Sequence, residues 1–217
     1  MLQQSPEIYL NLSYNYFKKL FLQLLNKNMK LIIIILTFLI TSCSNLSKIP
    51  SDQTNACSIL KEKRSWYRAL QNVEKKWGVS KGTQLSFILT ESNFRPRAKT
   101  QRTYVLGVIP KGRLSSAFGY AQVIDSTWQW YKESTGNKYA SRTTFRDSTD
   151  FIGWYFNETQ KKLKISKKDV YNQYLAYHQG HQGFKNKSYK NKLNLLKVAK
   201  NTHKKSIIFD KQIRKCN

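Results

Sequence analysis

Acidic side chains are scarce in this chain: 12 Asp and Glu stand against 38 Lys and Arg in 217 residues, a formal charge of +26. Any chemistry that needs two carboxylates therefore has few candidates. No internal repeat is present, strand-like alternation is rare, and Gly (9) and Pro (4) are sparse, which excludes a collagen-like chain. A hydrophobic content of 40% with 13% aromatics excludes a disordered one. The apolar run Leu31 to Ile40 is too short to cross a bilayer as a helix. What remains is one domain with a real core, plus appendages. The positive excess suits nucleic acid, an anionic membrane or an acidic polymer. Lys, Asn, Ile and Tyr are all abundant, as an AT-rich genome would produce, so charge alone assigns no function. The compartment has to decide.

Met29-Lys30, the apolar run to Ile40 and then Thr41-Ser42 have the grammar of an export signal. Ile40-Thr41-Ser42-Cys43 resembles the lipobox of bacterial lipoproteins, in which the Cys becomes the acylated first residue. The reading is then a signal over 1–42, with Met29 as the true start, a lipidated Cys43 and tether over 43–56, and a domain over 57–216. Two cysteines remain, Cys57 and Cys216, and in an oxidising compartment a disulfide is their default. Removing residues 1–42 takes away four lysines and Glu7, so the excess persists. An exported lipoprotein meets headgroups and wall polymer, so nucleic acid is excluded as a partner. Ser44, with no Asp after the Cys, points to the outer membrane by analogy with enteric bacteria.

Along the domain the period is helical. Trp66, Leu70, Val73 and Trp77 recur at steps of three and four, and Gly78 reads as a C-cap. Leu85, Ile88 and Leu89 mark a second helix that Pro96 must end. Residues 97–118 form a long loop or a small hairpin. Ser126 with Gln129, and Ser166 with Asp169, resemble capping boxes opening helices that Gly136 and Gly180 would close. A further helix starts near Asp147. Leu193, Leu196 and Ala199 mark a basic C-terminal helical tail, read as a solvated face. The fold class is mainly α.

Glu91 follows the apolar stretch Leu85-Ser-Phe-Ile-Leu-Thr90. A carboxyl in such surroundings has its charged form disfavoured and can hold a proton near neutrality, as a general acid must. Asp125, Asp147, Asp150 and Asp169 sit where helices start and have capping roles. One well-placed Glu in an acid-poor chain favours a single-carboxylate mechanism, although Asp125 or Asp147 could still hold a water. His178-x-x-His181 reads as a loop rather than a metal pair. Trp128, Trp130 and Trp154 read as core.

Glu91-Ser92-Asn93-Phe94, Ser115-Ser116-Ala117-Phe118-Gly119-Tyr120-Ala121-Gln122 and Ala176-Tyr177-His178-Gln179-Gly180 follow in that order. Together they resemble the soluble lytic transglycosylase (SLT) domain, and more closely its lipoprotein-like branch, which shares Thr127-Trp128, Asp150 to Tyr155 and Tyr174 to Gly180. The resemblance covers about 57–216 and implies a lysozyme-like single domain. It implies cleavage of the MurNAc-β-1,4-GlcNAc bond of peptidoglycan with a 1,6-anhydro product. Glu91 would act as acid and then base, with neither metal nor cofactor. Gln122, Tyr177, His178, Ser92 and Ser116 would be substrate-binding, on a monomer whose partners are glycan strands and the membrane through Cys43. Gly-Tyr-Ala-Gln in place of Gly-Leu-Met-Gln, and His178 in place of Asn, depart from the general family. The alternatives are a muramidase and an inactive, basic wall-binding lipoprotein.

Overall fold

The computed structural model describes residues 49–216, together with Met29. Residues 1–28 and 30–48, which include the rest of the expected export signal, Cys43 and most of the expected tether, lie outside the described residues. No helix among the described residues is long and apolar enough to cross a membrane.

The domain is mainly helical. Its elements are α1 (Ala56–Glu62), α2 (Arg64–Trp77), α3 (Lys81–Ser92), β1 (Arg102–Val105), β2 (Ile109–Arg113), α4 (Asp125–Thr135), α5 (Phe145–Leu163), α6 (Val170–Lys185) and α7 (Leu193–Ile213). Helix α3 is the centre. Gly82 through Ile88 are all buried, because its apolar residues run around the helix rather than along one stripe. Helix α7 lies along it, and α2 crosses α5. Both crossings pass at glycines. A Cβ at Gly82 would stand 2.5 Å from the Asp210 backbone nitrogen, and one at Gly153 would stand 2.5 Å from Trp77 Cδ1. Aromatic rings fill the remaining core, with Trp66 stacked on Phe145 at 3.8 Å and Phe87 edge-on to Phe156 and Tyr174.

Polar ties fix the packing. Asp150 accepts from Trp77 Nε1 (2.8 Å), Tyr131 Oη (2.8 Å) and Lys76 Nζ (3.1 Å), joining α2, α4 and α5. Asp210 of α7 accepts from the Gly82 N–H (2.8 Å) and Ser80 Oγ (2.7 Å), so α7 caps the start of α3. Cys57 and Cys216 form the expected disulfide across a separation of 159 residues. Both ends of the domain are thus tied together.

Several local expectations change. Residues 50–55 belong to the fold rather than to a tether: Pro50 is buried, Ser51 bonds Glu62 through its N–H and Oγ, and Asn55 caps α1. Helix α3 ends at Asn93 in the left-handed region (φ 50), three residues before Pro96. Ser126 lies inside the first turn of α4, whose N-cap is Ile124. Asp169, not Ser166, caps α6 by accepting from the Asn172 N–H. Gly180 (φ 70, ψ 161) breaks α6 without ending it, and the helical turns resume to Lys185. The basic tail keeps its expected solvated lysine face, with Leu195, Ala199, Thr202, Ser206 and Phe209 buried against the centre, but Leu193, expected on the apolar face, is exposed. The 97–118 segment contains a small antiparallel hairpin, β1–β2.

Candidate active site

A cavity of about 530 Å³ opens between the end of α3, the base of the hairpin, the 115–127 segment and the break in α6. Glu91 projects from the last turn of α3 into its wall and is the one carboxylate among the described residues that line it. Two successive left-handed residues, Asn93 (φ 50) and Phe94 (φ 58), turn the chain away directly after it, and the buried Phe94 anchors the turn. Glu91 Oε1 is buried without a hydrogen-bond partner, an arrangement that penalises a carboxylate far more than a neutral carboxyl. Burial pushes its pKa up to about 7, while a hydrogen bond with Tyr174 opposes the shift. Tyr174 and Tyr177, three apart on α6, both feel the Glu91 charge, and burial drives both phenols well above their ordinary range.

The other expected residues fall into two groups. Gln122, Tyr177 and His178 line the cavity with Glu91. Gln122 sits at φ 49 and donates from Nε2 to the Ala98 and Gly119 carbonyls, both at 2.9 Å, so its amide oxygen is what it can offer a ligand. The Tyr177 hydroxyl donates to the Ala121 carbonyl, and its ring packs on Phe87, Phe151 and Tyr155. His178 is exposed, and Nδ1 lies 2.8 Å from Gln179 Nε2. Partial desolvation on its cavity side, then the charge of Lys192, hold its pKa below the ordinary histidine value, so the ring is neutral at neutral pH.

Ser92 and Ser116 do not line the cavity. Ser92 is buried and donates to the Ile88 carbonyl at 3.0 Å within the helix end. Ser116 Oγ accepts the Asp125 N–H at 3.1 Å, at the start of α4. Their neighbours Ser115 and Ala117 line the wall instead. Thr100, Thr127 and Gln179 complete its polar side, and Val123, Ile124, Phe151 and Tyr155 its apolar side. Thr127 and Tyr155 stood in the recurring motifs. Gln179 carried no signal of its own, and its position is set by Ser188 Oγ (2.8 Å) and Lys192 Nζ (2.7 Å) donating to its oxygen.

The two acids considered as water holders opposite Glu91 are engaged elsewhere. Asp147 is buried, accepts the Ser141 N–H at 3.0 Å and pairs with Arg146, while Asp125 pairs with Arg142 at 2.7 Å. His181 lies 2.9 Å from Thr159 Oγ1 and stacks on Tyr155, and burial pushes it down to about 4. Among the described residues no group of three or more His, Cys, Asp or Glu could hold a metal.

Residues 31–216 match the family model described as Transglycosylase SLT domain. No curated protein and no solved structure matches the chain. The match spans the whole described domain, its helical architecture is that of a lysozyme-like fold, and Glu91 stands in the cavity where the motif order converges. The chain belongs to the transglycosylase SLT domain family, lysozyme-like proteins that act on peptidoglycan.

Proposed function

We propose that the protein is a lytic transglycosylase that cleaves the MurNAc-β-1,4-GlcNAc bond of peptidoglycan, held at the cell envelope by a lipid on Cys43 and facing the periplasm from the outer membrane. The observation that carries the reading is a single carboxyl, poised near neutrality by burial, in a cavity with no second carboxylate among the described residues. Protonated Glu91 gives its proton to the glycosidic oxygen as the bond from C1 to that oxygen breaks. The resulting carboxylate takes the proton of the muramoyl C6 hydroxyl while O6 bonds to C1. The 1,6-anhydro ring closes and Glu91 is left protonated. A pKa about 7 suits both steps, because neither form of the carboxyl is far from the working pH. A hydrolase with two carboxylates would need one of them to hold a water across the bond, and Asp125 and Asp147 are committed to Arg142, Arg146 and Ser141.

Residues 44–217, with the disulfide formed, are used to digest purified peptidoglycan, and the soluble products are weighed by mass spectrometry beside Glu91→Gln. Products lighter by one water than hydrated muropeptides, and lost in the variant, support the proposal. Hydrated products would make it a muramidase. Absence of products, with the protein still sedimenting with the wall, would make it a binding lipoprotein.

A further inference from the structure

The hairpin β1–β2 is a different kind of surface from the rest of the domain. Eight of its nine strand residues are exposed, and neither strand has a buried side chain. Its tip is nonetheless apolar: Val105 is 43% exposed, Leu106 86%, Val108 76% and Ile109 55%. Two-stranded hairpins are marginal in water, and uncovered aliphatic side chains add nothing to one. Leu106 and Gly107 both lie in the left-handed region (φ 52 and 74), closed by the Val108 N–H donating to the Val105 carbonyl. That conformation suits Asn and disfavours Leu. Neither packing nor turn chemistry accounts for an exposed leucine there.

Below the tip every charge is positive. Arg102, Lys111 and Arg113 flank the strands, none paired with a carboxylate among the described residues, and no acidic residue occurs between Glu91 and Asp125. Apolar residues at a projecting tip with cations behind them match an anionic bilayer, whose acyl boundary takes the aliphatic groups while its headgroups take the charges. Aliphatic side chains also offer sugar no hydrogen bonds, and the tip has no role in the cavity wall. We propose that the hairpin is a docking finger that inserts its Val105–Ile109 tip into the surface of an anionic membrane. Thr100 and Ser115, at the base of the same hairpin, line the Glu91 cavity, so a docked tip keeps the cavity tied to the membrane surface. The inference is independent of the catalytic reading, because its readout is lipid binding.

The test uses residues 44–217, which carry the core of the described residues and the disulfide, without the lipid. Sedimentation with vesicles of phosphatidylethanolamine and phosphatidylglycerol is compared with pure phosphatidylcholine, for the wild type and for Leu106→Asn with Val108→Asn. The expected result is binding to the anionic vesicles, weakened by salt, and about ten-fold or more weaker in the double variant, since two large aliphatic groups no longer leave water. The variant keeps every lysine and arginine and should unfold at the wild-type temperature. Leu106→Trp should gain quenching by brominated lipid. Equal binding of variant and wild type would overturn the proposal and assign attraction to the general basic surface. So would no binding, self-association that the double variant abolishes, or a loss confined to peptidoglycan binding.

Discussion

Replacing Glu91 by Gln should stabilise the fold, and increasingly so as the pH rises. The carboxyl titrates at about 7 in the native protein against 4.5 for an unburied one, chiefly because it is buried. Between those values the native state holds the proton and the unfolded chain has lost it. The native state therefore binds more protons, and stability is highest below the unfolded value and falls as pH rises through the native one. The gap corresponds to about 3 kcal/mol of destabilisation by the ionised side chain above neutrality. Glutamine has nearly the same shape, still accepts a hydrogen bond from Tyr174 and never ionises. Urea unfolding of both proteins with the disulfide intact, at about pH 4 and about pH 8.5, isolates the effect, because every other titrating group is common to both. The advantage of Glu91→Gln should grow by about 3 kcal/mol between the two, or a rise of roughly 6–12 °C in relative Tm for a domain of this size. A difference independent of pH would refute the reasoning. So would a variant that loses stability at high pH, since Glu91 would then be ionised and well solvated in the native state.

The same titration should appear in activity: kcat/KM on peptidoglycan should fall about ten-fold per pH unit above about 7, as the acid form of Glu91 is lost, and a profile flat to pH 9 would exclude it as the general acid. Breaking the Cys57–Cys216 bond frees a loop closed over a separation of 159 residues. Chain entropy puts the loss at up to about 5 kcal/mol, to be read from the shift in urea midpoint between oxidised and reduced protein. Asp210→Ala removes both acceptors from Gly82 N–H and Ser80 Oγ, and should cost about 1–3 kcal/mol while Asp210→Asn costs less. Equal loss in the two variants would mean that the contact needs the full carboxylate, both oxygens and the charge, because Asn keeps the shape and one acceptor.

How far the sequence reached follows from the range of the interaction each feature depends on. Gly78 and Gly136 close α2 and α4 because the left-handed turn is a property of the residue itself. The two capping boxes failed for the complementary reason: Ser126 and Ser166 have the right spacing, but the first turn of α4 begins two residues earlier, with Ile124 as N-cap, and Asp169 competed for the start of α6. Asn93 supplied a left-handed stop before Pro96 was reached. The solvated lysine face of the tail was legible from its helical spacing, whereas the close approach of α7 to α3 at small residues such as Ala199 and Thr202 was not.

At the site, Glu91, Gln122, Tyr177 and His178 were legible as motif positions, and the apolar run before Glu91 already argued for a raised pKa. Which serine faces the cavity was not. Ser92 gives its hydroxyl to the Ile88 carbonyl and Ser116 accepts the Asp125 N–H, which leaves Ser115 at the wall, and that depends on how the chain turns after α3 and before α4. The sequence by itself determined a helical, acid-poor domain with one candidate acid and two cysteines able to close it, because composition and period-3.6 patterning act locally. Only the tertiary structure decided that Tyr174 bonds that acid, that Asp125 and Asp147 are held by arginines away from it, and that an apolar hairpin tip is left uncovered. Those outcomes depend on which surfaces distant segments bury together, and no local pattern records that.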